Sequence, residues 1–102
     1  VLIRALEPLD GVERMKRHRG VSRLLDIARG PGRLAAAMAI AKRFDGVDLC
    51  APTSPLWIGT AARPVGPIGV SARIGISRAT RRKLRFYERG NPFVSGSPRL
   101  RR

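Results

Sequence analysis

Ile68-Gly69-Val70-Ser71-Ala72-Arg73-Ile74-Gly75-Ile76 sets Ile68, Val70, Ala72, Ile74 and Ile76 in alternation with Gly69, Ser71, Arg73 and Gly75. Side chains of an extended chain point to opposite faces in turn, so this period of two predicts a strand with one buried face. Two further short strands are expected beside it, Leu56-Trp57-Ile58 and Leu84 to Tyr87, separated from it by Gly and Pro. Before Pro55 the period changes. Leu9, Val12 and Met15 recur at helical intervals within Pro8 to Arg19, where Asp10 and Glu13 lie early and Lys16, Arg17 and Arg19 late, in the sense that complements the helix dipole. Gly20 stops that helix. Val21, Leu24, Leu25 and Ala28 predict a short second helix, and Pro31 to Ile40 a third that starts on its proline. Val1 to Leu6 reads as an apolar strand ended by Glu7-Pro8, Asp45-Gly46 as a turn, and Ala51 to Ser54 as a loop. Strand, helices and then strands make an α+β fold, and 102 residues suit one domain.

The formal charge is +14, from 21 Lys and Arg against 7 Asp and Glu. A GC-rich genome explains a choice of Arg over Lys but not a surplus of cations. A polyanionic partner does explain the surplus, since neutralising phosphates releases counterions. Ser97 to Arg102 reads as a disordered basic tail behind a domain ending near Gly96. Cys50 stands alone, which excludes a disulfide framework and a Cys-based zinc site, and it is expected as a small core residue. No cofactor, no metal and no membrane are expected, because no apolar run nears the ~18 residues that span a bilayer. The default compartment is the cytoplasm, with a bacterial nucleoid as the place for a DNA partner. Val1-Leu2-Ile3 begins a strand-like run without a cap, which leads to the expectation of a chain incomplete at its N-terminus.

Ile27-Ala28-Arg29-Gly30-Pro31-Gly32-Arg33-Leu34 places two glycines and a proline at a helix start, between two arginines. Exposed N–H groups there suit an anion, and glycine lets a phosphate approach the backbone. A tight turn between helices accounts for the same residues, and the spacing is also similar to a helix-hairpin-helix DNA-binding module. A basic RNA-associated structural protein is a third possibility. His18, among Lys16, Arg17 and Arg19, is expected on a solvated helix face, Trp57 and Tyr87 in the core, and Glu7 at a turn.

Three blocks together resemble the alkyladenine (3-methyladenine, methylpurine) DNA glycosylase family. They are Val1-Leu2-Ile3-Arg4-Ala5-Leu6-Glu7-Pro8-Leu9-Asp10-Gly11, then Arg29 to Leu34 running on to Ala39-Ile40 and Asp48-Leu49, then Ala72 to Ile76 with Leu84 to Ser95. The resemblance implies a curved antiparallel sheet with flanking short helices, and a monomer acting on double-stranded DNA that contains alkylated or deaminated purines. It implies that the damaged base is flipped from the duplex and released by water. It assigns Arg4 a supporting catalytic role and Leu2 a place in the pocket wall. Arg29, Gly30, Gly32, Arg33, Lys42, Ile74 and Gly75 become DNA contacts. The family's general base and the aromatic residues around the flipped base precede the Arg-Ala-Leu-Glu-Pro block, so residues 1–96 correspond to the C-terminal part of its domain. Where the family commonly has Lys, this chain has Arg33, and Ala35 to Ala37 replace a Cys-Gln-Ala.

Overall fold

A computed structural model describes residues 1–73 and 81–101. Ile74 and Gly75, and with them the end of the alternating stretch, lie outside the described residues. The fold is α+β. Helices α1 (Val12–Arg19) and α2 (Pro31–Ala37) precede strands β1 (Ile68–Ser71) and β2 (Arg85–Glu88). The two strands pair antiparallel, with Gly69 opposite Tyr87 and Val70 opposite Phe86.

Both helices are shorter than their periodicity suggests, for local reasons. Gly11 takes the left-handed conformation (φ 68°), so α1 starts at Val12 instead of Pro8. It ends at Gly20, also left-handed, whose N–H returns to the Lys16 carbonyl at 2.8 Å. The helix expected over Val21 to Ala28 is reduced to a 3-10 turn, Leu24–Asp26. Arg23 is extended (φ −80°, ψ 130°), which interrupts a helix through Val21 to Ala28, and the carbonyls of Ile27 (2.9 Å) and Asp26 (3.1 Å) accept from the Arg19 guanidinium. α2 starts on Pro31 as expected and ends three residues early, because Ala39 turns to φ 53°. Ile40 then donates back to the Ala35 carbonyl at 2.8 Å.

Ile27, Ala28, Leu34 and Ala37 form the core, with Leu6, Val12, Met15, Val21 and Ile40 packed around them. His18 is more than a solvated residue: its Nδ1 donates to the Ala37 carbonyl at 2.8 Å and ties α1 to α2.

Other expectations are corrected. Val1 to Leu6 forms no strand among the described residues, only an isolated bridge between Ala5 and Arg29, and Val1, Leu2 and Ile3 are exposed. A strand needs a row of neighbours, and this segment has a single bridge partner, Arg29, which lies outside the β1–β2 sheet. Leu56 to Ile58 is not a strand either. Among the described residues its one backbone–backbone bond is from Ile58 to Leu49 (2.8 Å), and Pro52 and Pro55 remove donors from the approach. Trp57 is 59% exposed, and Cys50 lies on the surface instead of in the core. Within Ser97 to Arg102, Pro98–Arg101 forms a 3-10 turn. No helix among the described residues is long and apolar enough to cross a membrane.

The strand pair carries the largest surprise. Gly69 is buried while Ile68 and Val70 are exposed, and Arg85 is buried while Phe86 is 66% exposed. Tyr87 accounts for the glycine. Its ring lies over the Gly69 backbone so closely that a Cβ there would collide with it.

Candidate functional site

A groove of about 760 Å³ separates Val1–Glu7 from β2 and the segment after it. Leu2 and Arg4 line it from one side, Arg85, Phe93 and Ser95 from the other, and Arg73 contributes from the end of β1. Leu2 is 64% exposed, as a wall of an open cleft would be. Arg4 is half-buried, with a buried Nε that has no hydrogen-bond partner.

Among the described residues Arg85 is the one charged residue that is buried, at 5% exposure. Its Nη2 donates to the Ser95 carbonyl and approaches Ser95 Oγ at 3.3 Å, and its guanidinium stands 5.6 Å from the centre of the Tyr87 ring. Nη1 is buried without a partner. Burial pushes the Arg85 guanidinium down from its ordinary value, and the positive charge of Arg4 acts in the same direction. Both carboxylates of the groove are occupied elsewhere. Arg63 bonds Glu88 and Glu7, each at 3.4 Å, and these two contacts raise the Arg63 guanidinium, Glu88 most.

The glycine-rich turn lies behind the same segment. Leu6 N–H donates to the Ala28 carbonyl at 3.3 Å beside the Ala5–Arg29 bridge, so the strip carrying Arg4 is stitched to the residues that open α2. Arg29 donates from Nη1 to the Pro92 carbonyl at 3.2 Å, which ties this turn to the far wall of the groove. Gly30 has φ 141°, a conformation that side chains rarely adopt, and the aliphatic part of Arg33 lies about 3.7 Å from where a Cβ would stand. Arg33 and Gly32 are exposed, as is Lys42 in the 3-10 turn Lys42–Phe44. The structure thus brings Leu2 and Arg4 together at the groove and Arg29, Gly30, Gly32 and Arg33 at the turn. Lys42 stands on a separate turn, and Ile74 and Gly75 lie outside the described residues. Before Gly30 stands a three-residue 3-10 turn, which removes one of the two helices a helix-hairpin-helix requires.

Arg85 and Arg73 were missed as site residues. In sequence, Leu84-Arg85-Phe86 reads as apolar residues on the inner face with an arginine outside, and nothing local reverses that reading. No group of three His, Cys, Asp or Glu able to hold a metal occurs among the described residues.

Residues 1–92 match the family model described as methylpurine-DNA glycosylase (MPG). The chain belongs to the methylpurine-DNA glycosylase family. A protein of Mesorhizobium japonicum named "Putative 3-methyladenine DNA glycosylase" is 60% identical over 96 residues, 94% of this chain and 46% of that protein. Proteins of the same name from Paraburkholderia phytofirmans and Granulibacter bethesdensis are 47% and 45% identical, over 98% and 95% of this chain and 46% of each protein. The chain therefore spans about half the length of the curated relatives it matches. Within the family match fall the groove segment, the glycine-rich turn and both strands.

Proposed function

We propose that residues 1–96 are the C-terminal part of a glycosylase domain that hydrolyses alkylated purines such as 3-methyladenine from double-stranded DNA, in the bacterial cytoplasm. The observation that carries this reading is the family match over residues 1–92, which takes in the whole groove strip and the turn stitched to it. Flipping the damaged base would bring it to the groove. There Leu2 forms part of the wall, and Arg4 stabilises the base and the attacking water as charge develops on breaking the N-glycosidic bond. Arg29, Gly30, Gly32 and Arg33 approach the DNA backbone, with Lys42 and the Ile74-Gly75 loop as further phosphate contacts. These contacts position the duplex and carry no lesion preference of their own.

Glu7 and Glu88, the carboxylates of the groove, are both held by Arg63, so neither is free to activate water. The 102-residue chain is accordingly expected to bind duplex DNA and to release no base. If it meets roughly four to six phosphates, log K for undamaged duplex falls with log salt at a slope of about −4 to −5. Arg33→Ala should flatten that slope by about one unit, and Arg4→Ala should leave it unchanged. Fluorescence anisotropy over a salt series measures both. A slope near zero, or equal slopes for wild type and Arg33→Ala, would contradict the assignment of the turn to the DNA backbone.

A further inference from the structure

Successive side chains of a strand point to opposite faces, so a cavity over a sheet face is lined by every second residue and a cavity along a strand edge by every residue. The groove is lined without a gap by Val1–Glu7 on one side and by Leu84–Glu88 on the other. It therefore runs along two backbone edges, and the β2 edge is an open one. Arg89 donates to the Pro67 carbonyl at 2.8 Å, which makes residues 67 and 89 a hydrogen-bonded pair. The alternation of an antiparallel ladder carries the same pairing to Gly69 with Tyr87 and Ser71 with Arg85. The N–H and C=O groups of Phe86 and Glu88 then point away from β1, toward the groove. The Glu88 carbonyl accepts from the Asn91 N–H at 3.4 Å, and among the described residues β1 is the only strand paired with β2. Open edges are commonly blocked by Pro, Lys or a covering element. Arg85-Phe86-Tyr87-Glu88 has no Pro or Lys, and Leu2, Ile3 and Phe86 expose apolar surface to the same groove.

We infer that the edge of β2 receives an apolar extended segment as a further strand, bonded to the backbone of Phe86 and Glu88 and supplied by the part of a methylpurine glycosylase domain outside the segment matched here. This is strand addition at an open sheet edge, in which main-chain bonds give the affinity. The relatives supply the occupant: this chain covers 46% of each of the three, so a polypeptide of comparable length stands beside the matched segment in every one. Charge argues against a second copy of this chain. Each copy carries +14, Arg4, Arg73 and Arg85 line its groove, and the groove carboxylates Glu7 and Glu88 are already bonded to Arg63. A strand along β2 leaves room for a flipped base beside Leu2 and Arg4, since pockets of about 300–1,000 Å³ enclose whole drug-sized ligands. The identity of the occupant rests on the glycosylase reading of residues 1–96; the open edge does not.

The test grafts this chain into the Mesorhizobium japonicum relative in place of the segment it matches, and follows amide hydrogen exchange by NMR in the graft and in the 102-residue chain. In the 102-residue chain the Phe86 and Glu88 amides are expected to exchange about a hundredfold faster than the Tyr87 amide, which faces β1. In the graft all three should be slow. Phe86→Pro removes an N–H from the open edge and none from the β1–β2 ladder, so in the graft it should speed exchange at Glu88 about tenfold, while Phe86→Ala leaves Glu88 slow. If the Phe86→Pro graft does not fold, the comparison of the unsubstituted graft with the 102-residue chain decides alone. Release of 3-methyladenine from DNA by the graft is measured in parallel. Release with the Phe86 and Glu88 amides still fast overturns the strand and spares the glycosylase reading; slow amides without release support the strand and count against that reading. A graft that does not unfold cooperatively, amides already slow in the dilute 102-residue chain, or protection that grows with the concentration of that chain, as a second copy would cause, would each overturn the proposal.

Discussion

The helical and strand regions of this chain obey opposite rules of burial. Around α1 and α2 the apolar residues at helical spacing turn inward, and Ile27, Ala28, Leu34 and Ala37 close into a core. In the β1–β2 pair the apolar cross-strand partners Val70 and Phe86 face outward, while Gly69 and Arg85 are buried. Both regions follow their expected periods. They differ in what stands opposite: the helices pack on each other, whereas the inner side of the strands is covered by one ring, Tyr87, and by the Ser95 segment that receives Arg85. Periodicity therefore reports that two faces exist, and packing decides which of them is inside.

That contrast is sharpest at Ile27, which is fully buried. Ile27→Ala should destabilise the chain by about 2–4 kcal/mol, through lost transfer energy and a cavity that the small core cannot close. Urea unfolding followed by circular dichroism measures it, and a loss no larger than that of a surface substitution would break the comparison. Gly69→Val tests the strand side. The new side chain must displace the Tyr87 ring, at an expected cost of about 1–3 kcal/mol. Adding Tyr87→Ala to Gly69→Val should make the glycine substitution much cheaper, since the obstacle is gone; simple additivity of the two would remove the ring as the cause.

Ala39→Gly should act in the opposite direction. Ala39 holds a left-handed φ of 53°, where a Cβ is unfavourable, so glycine is expected to stabilise the end of α2 by about 0.5–1 kcal/mol, visible as a higher urea midpoint. The smallest effect belongs to Phe86, a large aromatic residue in the middle of β2 that the alternation would place inside. Phe86→Ser should change stability by no more than about 0.5 kcal/mol in this chain, because the ring is already exposed. A loss comparable with Ile27→Ala would mean that the outer face of the sheet is covered in solution.

Helix ends were legible in the sequence because they are local. Gly20 as a left-handed stop and Pro31 as a helix start require only their own dihedral angles and the nearest carbonyls. The glycine-rich turn at Gly30 and its flanking arginines could be found for the same reason, and the three family blocks could be read directly from residue order. The α+β class followed from a change of period near Pro55, again a property of neighbouring residues. Other features depended on partners far along the chain. Val1 to Leu6 has the composition of a strand, but pairing needs a second backbone, and only the Ala5–Arg29 bridge supplies one. The second helix is reduced to one 3-10 turn between an extended Arg23 and the pairing of Ala28 and Arg29 with Leu6 and Ala5, contacts that no helical period records. Nothing beside Arg85 in the sequence, between Leu84 and Phe86, marks it as the inward member of its strand. Tertiary structure turned it inward, because Ser95 stood on that side with a carbonyl and a hydroxyl to receive its guanidinium.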